Sequence, residues 1–173
     1  SVATMRFDDM PEMKSAEITA RVLEELPRHD FVLVNFANTD MVGHSGNLDA
    51  AVKAVEAVDR AVGELYRAVM GRSGVMIVTG DHGNAEAKRN MVTGEKLTEH
   101  SLNPVPMYLV GEDFRLPKTR EASEILVKKK EVGGILTDIA PTILELMGLS
   151  KPTEMTGSSL LSELTKEHFH QGR

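Results

Sequence analysis

Residues 75–84, Val-Met-Ile-Val-Thr-Gly-Asp-His-Gly-Asn, join a short apolar run to an acid–histidine pair between two glycines. The run Val75 to Val78 is typical of a buried strand, because it is apolar along its whole length and too short for a helix. Asp81 and His82 follow where that strand ends, and the flanking glycines allow the backbone to come near a ligand. The stretch therefore predicts a sheet with a polar site at its edge.

Two further apolar runs, Phe31 to Phe36 and Val105 to Val110, also predict strands. A long helix is predicted between the first two strands, with Asn47 suited to its N-cap and Gly71 to its C-terminal stop. Strands that alternate with helices predict an α/β fold with a mostly parallel sheet covered on both faces. The apolar face of the long helix is predicted from residues at helical spacing: Leu48, Val52, Val55, Val58, Val62, Leu65 and Val69.

Composition excludes several classes of partner and chemistry. The 173 residues suffice for one compact domain, and the formal net charge of −6 gives no basic surface for nucleic acid or an anionic membrane. The chain has no cysteine, which excludes disulfides, thiolate metal sites and cysteine nucleophiles. It shows neither a signal-peptide pattern nor an apolar run long enough to span a bilayer. We therefore expect a cytoplasmic protein without nucleic-acid or membrane partners.

Asp40 and His44 stand four residues apart in a polar segment after the first predicted strand. On a helical turn this spacing puts both side chains on one side, close enough to share a cation. A turn-forming aspartate beside an exposed histidine is the alternative interpretation. For Asp81 and His82, the alternative is a glycine-rich turn in which the aspartate caps the following residues.

His100 precedes the third predicted strand, so a long loop must bring it back to the edge where the other polar residues lie. With His100 there are five candidate ligands, two carboxylates and three imidazoles. Mixed oxygen and nitrogen ligands suit Mn, Zn or Co better than Mg or Ca. Five ligands exceed what one tetrahedral site needs, which is consistent with two ions that clamp a transferred phosphoryl group.

Several stretches resemble the cofactor-independent (2,3-bisphosphoglycerate-independent) phosphoglycerate mutases, which belong to the alkaline phosphatase superfamily. The resemblance covers nearly the whole chain and is most specific in residues 40–46 and 81–86. The stretch Asp138 to Thr142 is less specific, because it recurs through the superfamily. The other matching stretches are Glu99-His100-Ser101-Leu102-Asn103-Pro104-Val105-Pro106, Pro11-Glu12-Met13 and Met155-Thr156-Gly157.

The resemblance implies an alkaline-phosphatase-like three-layer sandwich with a mostly parallel sheet, here incomplete. It implies interconversion of 3-phosphoglycerate and 2-phosphoglycerate in glycolysis through a phosphoserine intermediate. It also implies two divalent ions, with Mn favoured and Mg, Co or Zn as further candidates. By resemblance, the ligands of the first ion are Asp40, His44 and His100, and those of the second are Asp81 and His82.

The resemblance is to one part of such a mutase. We expect residues 1–173 to form a single domain, the C-terminal part of the metal-binding phosphatase-like domain, without its N-terminal part and without the inserted phosphotransferase domain. The family's nucleophilic serine has no counterpart here, and Ser1 stands where the family has a catalytic lysine before a segment like Val2-Ala3-Thr4. The expected fragment is inactive alone and can self-associate through unpaired strand edges. Its substrate-binding residues are not indicated.

Two alternatives remain open from the sequence. One is a related hydrolase of the alkaline phosphatase superfamily or a phosphopentomutase, against which residues 81–84 and 103–106 argue. The other is a stand-alone metal-binding module without catalysis, which the absence of a recognisable nucleophile favours.

Overall fold

A computed structural model describes residues 6–89, 92–116, 118–128 and 131–169, with the backbone alone for residues 166–169. The predicted position of the missing lysine, at the chain start, lies outside the described residues. The chain divides into two compact units, each described by itself below. One unit comprises Ser1–Gly74 and His82–Val105, and the other comprises Val75–Asp81 and Pro106–Arg173.

The first unit is built on three helices: α1 (Ser15–Glu25), α2 (Asn38–Gly43) and α3 (Leu48–Met70). The predicted long helix is confirmed as α3. The Asn47 side chain caps it by accepting the backbone N–H of Ala50 at 3.2 Å, and the helix ends just before Gly71. None of the described helices is both long enough and apolar enough to cross a membrane.

The face that α3 buries differs from the predicted one. Val52 and Val55 are each 48% exposed, whereas the buried set consists of five alanines and one leucine. The predicted valine-rich stripe and the observed alanine-rich stripe both repeat at helical spacing. The prediction chose the valine-rich stripe because its side chains are larger and more hydrophobic. The alanine stripe wins because side chains that end at Cβ let α1 and α2 pack close against α3. The buried residues of α3 are Ala50, Ala51, Ala54, Ala57, Ala61 and Leu65.

The predicted strand Phe31 to Phe36 is wrong. These residues alternate between exposed and half-buried as a strand would, with Leu33 83% exposed. A strand also needs a hydrogen-bonded neighbour, and in the part of the chain that the structure describes the sheet has only two strands, both elsewhere. The segment therefore has the exposure pattern of a strand without belonging to a sheet.

The second unit contains strands β1 (Met76–Thr79) and β2 (Met107–Val110) and helices α4 (Ala122–Lys128), α5 (Ile139–Leu146) and α6 (Leu161–Phe169). The α/β class and the incomplete sheet are confirmed. The two strands pair antiparallel, whereas the alternation of strands and helices predicted parallel pairing. A parallel connection usually crosses over through a helix, and the described residues between these strands contain none.

Asp138 organises the chain around the start of α5. Its carboxylate accepts the backbone N–H of Ile135 at 2.9 Å and of Ser158 at 2.8 Å, and these two bonds lower the pKa of the carboxyl. One turn further on, the Thr142 hydroxyl donates to the Asp138 carbonyl and accepts the backbone N–H of Leu160. The side chains of this stretch therefore fasten the segment before α6 to α5.

Candidate metal centre

Helix α2 presents Asp40, and His44 follows directly after its last residue. The spacing of four places both side chains on one side, with 3.3 Å between Asp40 Oδ1 and His44 Nε2. The start of the helix is anchored by the buried Asn38 side chain, which donates to the carbonyls of Pro11 at 2.9 Å and Glu12 at 2.7 Å. The position of Asp40 is thus fixed by contacts distant in sequence.

A long loop brings His100 to the same point. An antiparallel bridge closes the loop, in which the backbone N–H of Ser101 donates to the Gly83 carbonyl at 2.7 Å. The closure puts His100 Nε2 3.1 Å from Asp40 Oδ1. It also stacks the His100 ring on His82, with 3.8 Å between ring centroids and 22° between planes.

Three of the five candidate ligands form one group. Asp40, His44 and His100 each offer one ligand atom, and these atoms all lie within 4.8 Å of one another. His82 borders the group through its stacked ring without being a member of it. Asp81 is exposed and belongs to the unit that contains β1.

The position of the proton on the His44 ring suits a cation bound at this group. His44 Nδ1 lies 2.5 Å from the Thr98 carbonyl oxygen, which can only accept, so Nδ1 carries the proton. In a neutral ring, Nε2 then turns a lone pair toward Asp40 Oδ1. The Asn84 side-chain nitrogen, 3.5 Å from Nε2, is one donor in reach of that lone pair. A cation between Nε2 and Oδ1 would attract both lone pairs at once. An imidazole held by a backbone carbonyl and facing a carboxylate is the arrangement of a metal-ligating histidine.

Asn84 holds the Asp40 carboxylate in place. The buried amide donates from Nδ2 to Asp40 Oδ1 at 2.5 Å and to the Asp40 backbone carbonyl at 3.3 Å. Burial raises the pKa of Asp40, but the Asn84 hydrogen bond and the charges of the nearby histidines outweigh it, so this pKa lies below its usual value. Asp40 is therefore held as an anion.

Lys88 and Glu86 support the same region, and sequence reasoning gave neither a role. The ammonium of Lys88 donates to the Asn84 side-chain oxygen and to the Gly43 carbonyl. Burial lowers the pKa of Lys88, against the opposing effects of Glu86 and Asp40. Nothing in the sequence distinguishes Lys88 from Lys96, the other lysine in the polar stretch 85–98.

The Glu86 carboxylate links the segment of Asn84 to that of His100. It accepts the Asn84 backbone N–H at 2.7 Å, the Ser101 hydroxyl, and the Asn103 side chain at 2.9 Å. Burial raises the pKa of Glu86, but these donors outweigh it and the pKa is lowered. The signal that could have identified Glu86 was its place in the quoted motif 81–86.

Comparison with known proteins adds the family. A family model described as the Metalloenzyme superfamily matches residues 1–151. The chain belongs to the metalloenzyme superfamily. The donor set of Asp40, His44 and His100 is in keeping with that membership.

Among the relatives of this metalloenzyme are phosphoglycerate mutases. The chain is 46% identical over 159 residues to the 2,3-bisphosphoglycerate-independent phosphoglycerate mutase of Clostridioides difficile. The matched region comprises 91% of this chain and 29% of that mutase. It is also 46% identical to the corresponding mutase of Desulforudis audaxviator, over 90% of the chain and 28% of that mutase. The resemblance to the cofactor-independent mutases is thereby confirmed, and the chain spans under a third of their length.

A solved structure agrees with the sequence relatives. The fold is similar to that of Leishmania mexicana phosphoglycerate mutase, crystallised at low cobalt concentration, with a TM-score of 0.70 and 33% identity. The similarity covers 90% of this metalloenzyme chain and 29% of the Leishmania chain. The α/β fold with an incomplete sheet is therefore that of part of a phosphoglycerate mutase.

The close approach of Gly43 to the Asn84 amide leads to a first prediction for this metalloenzyme. A Cβ at Gly43 would lie 2.7 Å from Asn84 Oδ1, closer than real Cβ atoms come, and 3.1 Å from Lys88 Nζ, tighter than most real Cβ contacts. Gly43→Ala must push the amide away from Asp40, and we expect about tenfold weaker Co²⁺ binding, within the range for loss of an outer-shell partner. Gly63→Ala on α3, where the nearest atom is 3.8 Å away, is the control for isothermal titration. Equal affinities of the two variants would contradict the prediction.

Proposed function

We propose that this chain is the metal-binding catalytic segment of a phosphoglycerate mutase, which interconverts 3-phosphoglycerate and 2-phosphoglycerate in glycolysis through a phosphoserine intermediate. The observation that carries the proposal is the convergence of Asp40, His44 and His100 in a chain 46% identical to such mutases. The substrate and the reaction belong to the whole protein.

In this proposal Asp40, His44 and His100 hold one divalent ion, and Asp81 and His82 contribute to a second. Imidazole and carboxylate ligands together suit Mn, Co and Zn better than Mg. Among these, Mn is the ion that the resemblance to the mutases favours. The crystal structures of the Leishmania mutase were obtained at low cobalt concentration, and we therefore use Co²⁺ as the probe. When bound, divalent ions supply a Lewis acid that stabilises charge on a transferred phosphoryl group.

The residues of this chain have separate tasks around that chemistry. Asp40 supplies the one carboxylate oxygen shared by both ring contacts, at 3.3 Å from His44 Nε2 and 3.1 Å from His100 Nε2. The Thr98 carbonyl fixes the proton of His44 on Nδ1 and so keeps Nε2 available as a ligand. Glu86 keeps the His100 loop closed through its bond to Ser101.

We further propose that residues 1–173 form the C-terminal part of a phosphatase-like domain, with the nucleophilic serine and a phosphotransferase domain supplied by other parts of the protein. We also propose a cytoplasmic location, with which the lack of cysteine accords, and no nucleic-acid or membrane partner, with which the net charge of −6 accords. Self-association of the isolated chain stays a prediction.

The second prediction tests the function directly. In the Clostridioides difficile mutase with its matching segment replaced by this chain, we expect conversion of 3-phosphoglycerate. The same chimera with His44→Ala should lose at least about a hundredfold in kcat, because one ligand of the first ion is gone. The isolated 173-residue chain should give no conversion.

The control is His29→Ala, an exposed histidine that contacts Glu25 rather than the metal group. This variant should leave the activity of the chimera unchanged. A folded chimera that binds Mn²⁺ without any mutase activity would contradict the proposal, as would rapid conversion by the isolated chain.

A further inference from the structure

The buried ammonium of Lys88 lies beside the metal group without being a ligand of it. Lys88 is 8% exposed, and a buried ammonium is unfavourable unless its N–H groups are used. It donates to the side-chain oxygen of Asn84 and, at 3.1 Å, to the Gly43 carbonyl. Both acceptors belong to residues next to the candidate ligands: Gly43 precedes His44, and Asn84 donates to Asp40.

Lys88 decides which way the Asn84 amide points. An ammonium has donors only, so the amide oxygen must face it. The NH₂ group then faces Asp40 and donates to Oδ1 at 2.5 Å. In the opposite orientation the amide oxygen would face the carboxylate and the NH₂ group would face the ammonium, and both contacts would be repulsive.

We propose that Lys88 is a positioning residue for the metal centre, acting through Asn84. By fixing the amide orientation, it holds Asp40 Oδ1 between the ring nitrogens of His44 and His100, at 3.3 Å and 3.1 Å. The inference rests on the proposed metal binding by these three residues. Lys88 is thereby given a task although it is not one of the three candidate ligands.

Co²⁺ titration of the 173-residue chain and of Lys88→Met tests the proposal. Methionine has a similar length and no donor, so the amide is released while the space stays filled. We expect about 10- to 100-fold weaker Co²⁺ binding, the usual effect of removing an outer-shell partner. The visible absorption of the Co²⁺-saturated variant should also differ from that of the parent. Lys53→Met, an exposed lysine on α3, is the control and should change neither.

A double-mutant cycle separates positioning from simple core filling. Asn84→Leu removes the donor to Asp40, and it should produce the same loss of affinity even if Lys88→Met fails to fold. If Lys88 acts through Asn84, the Lys88→Met/Asn84→Leu chain should bind Co²⁺ no more weakly than Asn84→Leu alone. Additive losses, or an unchanged affinity and spectrum in either single variant, would overturn the proposal.

The parent titration distinguishes this inference from the function on which it rests. A parent chain that binds no Co²⁺ would overturn the metal function and the positioning role together. A parent that binds Co²⁺ alongside a Lys88→Met chain of equal affinity would overturn the positioning role alone.

Discussion

Asp40→Asn should weaken Co²⁺ binding by more than about a hundredfold, beyond the 10- to 100-fold typical of outer-shell losses. Asp40 is the only carboxylate of the group of three, and its Oδ1 lies within 3.3 Å of both His44 Nε2 and His100 Nε2. The amide keeps the shape of the side chain but removes its charge, and a neutral amide is a far weaker ligand than a carboxylate. Isothermal titration at fixed pH and ionic strength measures the loss.

Asp59→Asn is the matched control for that experiment. Asp59 is an exposed residue on α3, so the substitution removes the same charge from the same unit. Charges exposed to solvent are screened over about 10 Å at 0.1 M salt, and Co²⁺ affinity should stay within about twofold of the parent. If Asp40→Asn and Asp59→Asn bound Co²⁺ equally well, the ion would have to lie elsewhere.

Gly157→Ala should lower the free energy of unfolding by at least about 2 kcal/mol, at the upper end of overpacking effects. A Cβ at Gly157 would overlap the Thr137 carbonyl, and the next nearest atoms also belong to the backbone of Thr137 and Asp138. That backbone is fastened by the two hydrogen bonds to the Asp138 carboxylate, so it has little freedom to move. Urea denaturation followed by circular dichroism measures the change.

Gly133→Ala is the comparison within the same unit. A Cβ at Gly133 would have no atom within 4 Å, and its backbone is outside the left-handed region. The substitution restricts the unfolded chain and should be neutral or stabilise by about 0.4–1 kcal/mol. Equal unfolding free energies for the two variants, at equal m-values, would show that the chain around Gly157 rearranges freely.

The elements defined by local signals were predictable. The long helix was identified from its apolar spacing, its Asn47 cap and the glycine that ends it, all of which act within a few residues. The predicted strands Val75 to Val78 and Val105 to Val110 were likewise found, as β1 and β2. Local rules did not reveal whether a run has a partner, and so the segment from Phe31 to Phe36 was mistaken for a strand.

The candidate site divides in the same way. Asp40 and His44 come together through helical spacing alone, which the sequence states directly. His100 required a long loop closed between Gly83 and Ser101, and the sequence demanded this closure without showing how it is achieved. His100 was a candidate because imidazole is a metal ligand, and the backbone bridge places it beside Asp40.

The sequence by itself determined the α/β class, the long helix α3 and the type of candidate metal ligand, because periodicity, capping and donor type are properties of neighbouring residues. Only the tertiary structure decided that alanines and not valines form the buried face of α3, and that Lys88 lies under the metal group against Asn84. Both outcomes depend on how closely distant segments approach. Whether an alanine stripe is buried, or a loop lysine is held in place, depends on the segment packed against it. No local sequence pattern specifies that segment.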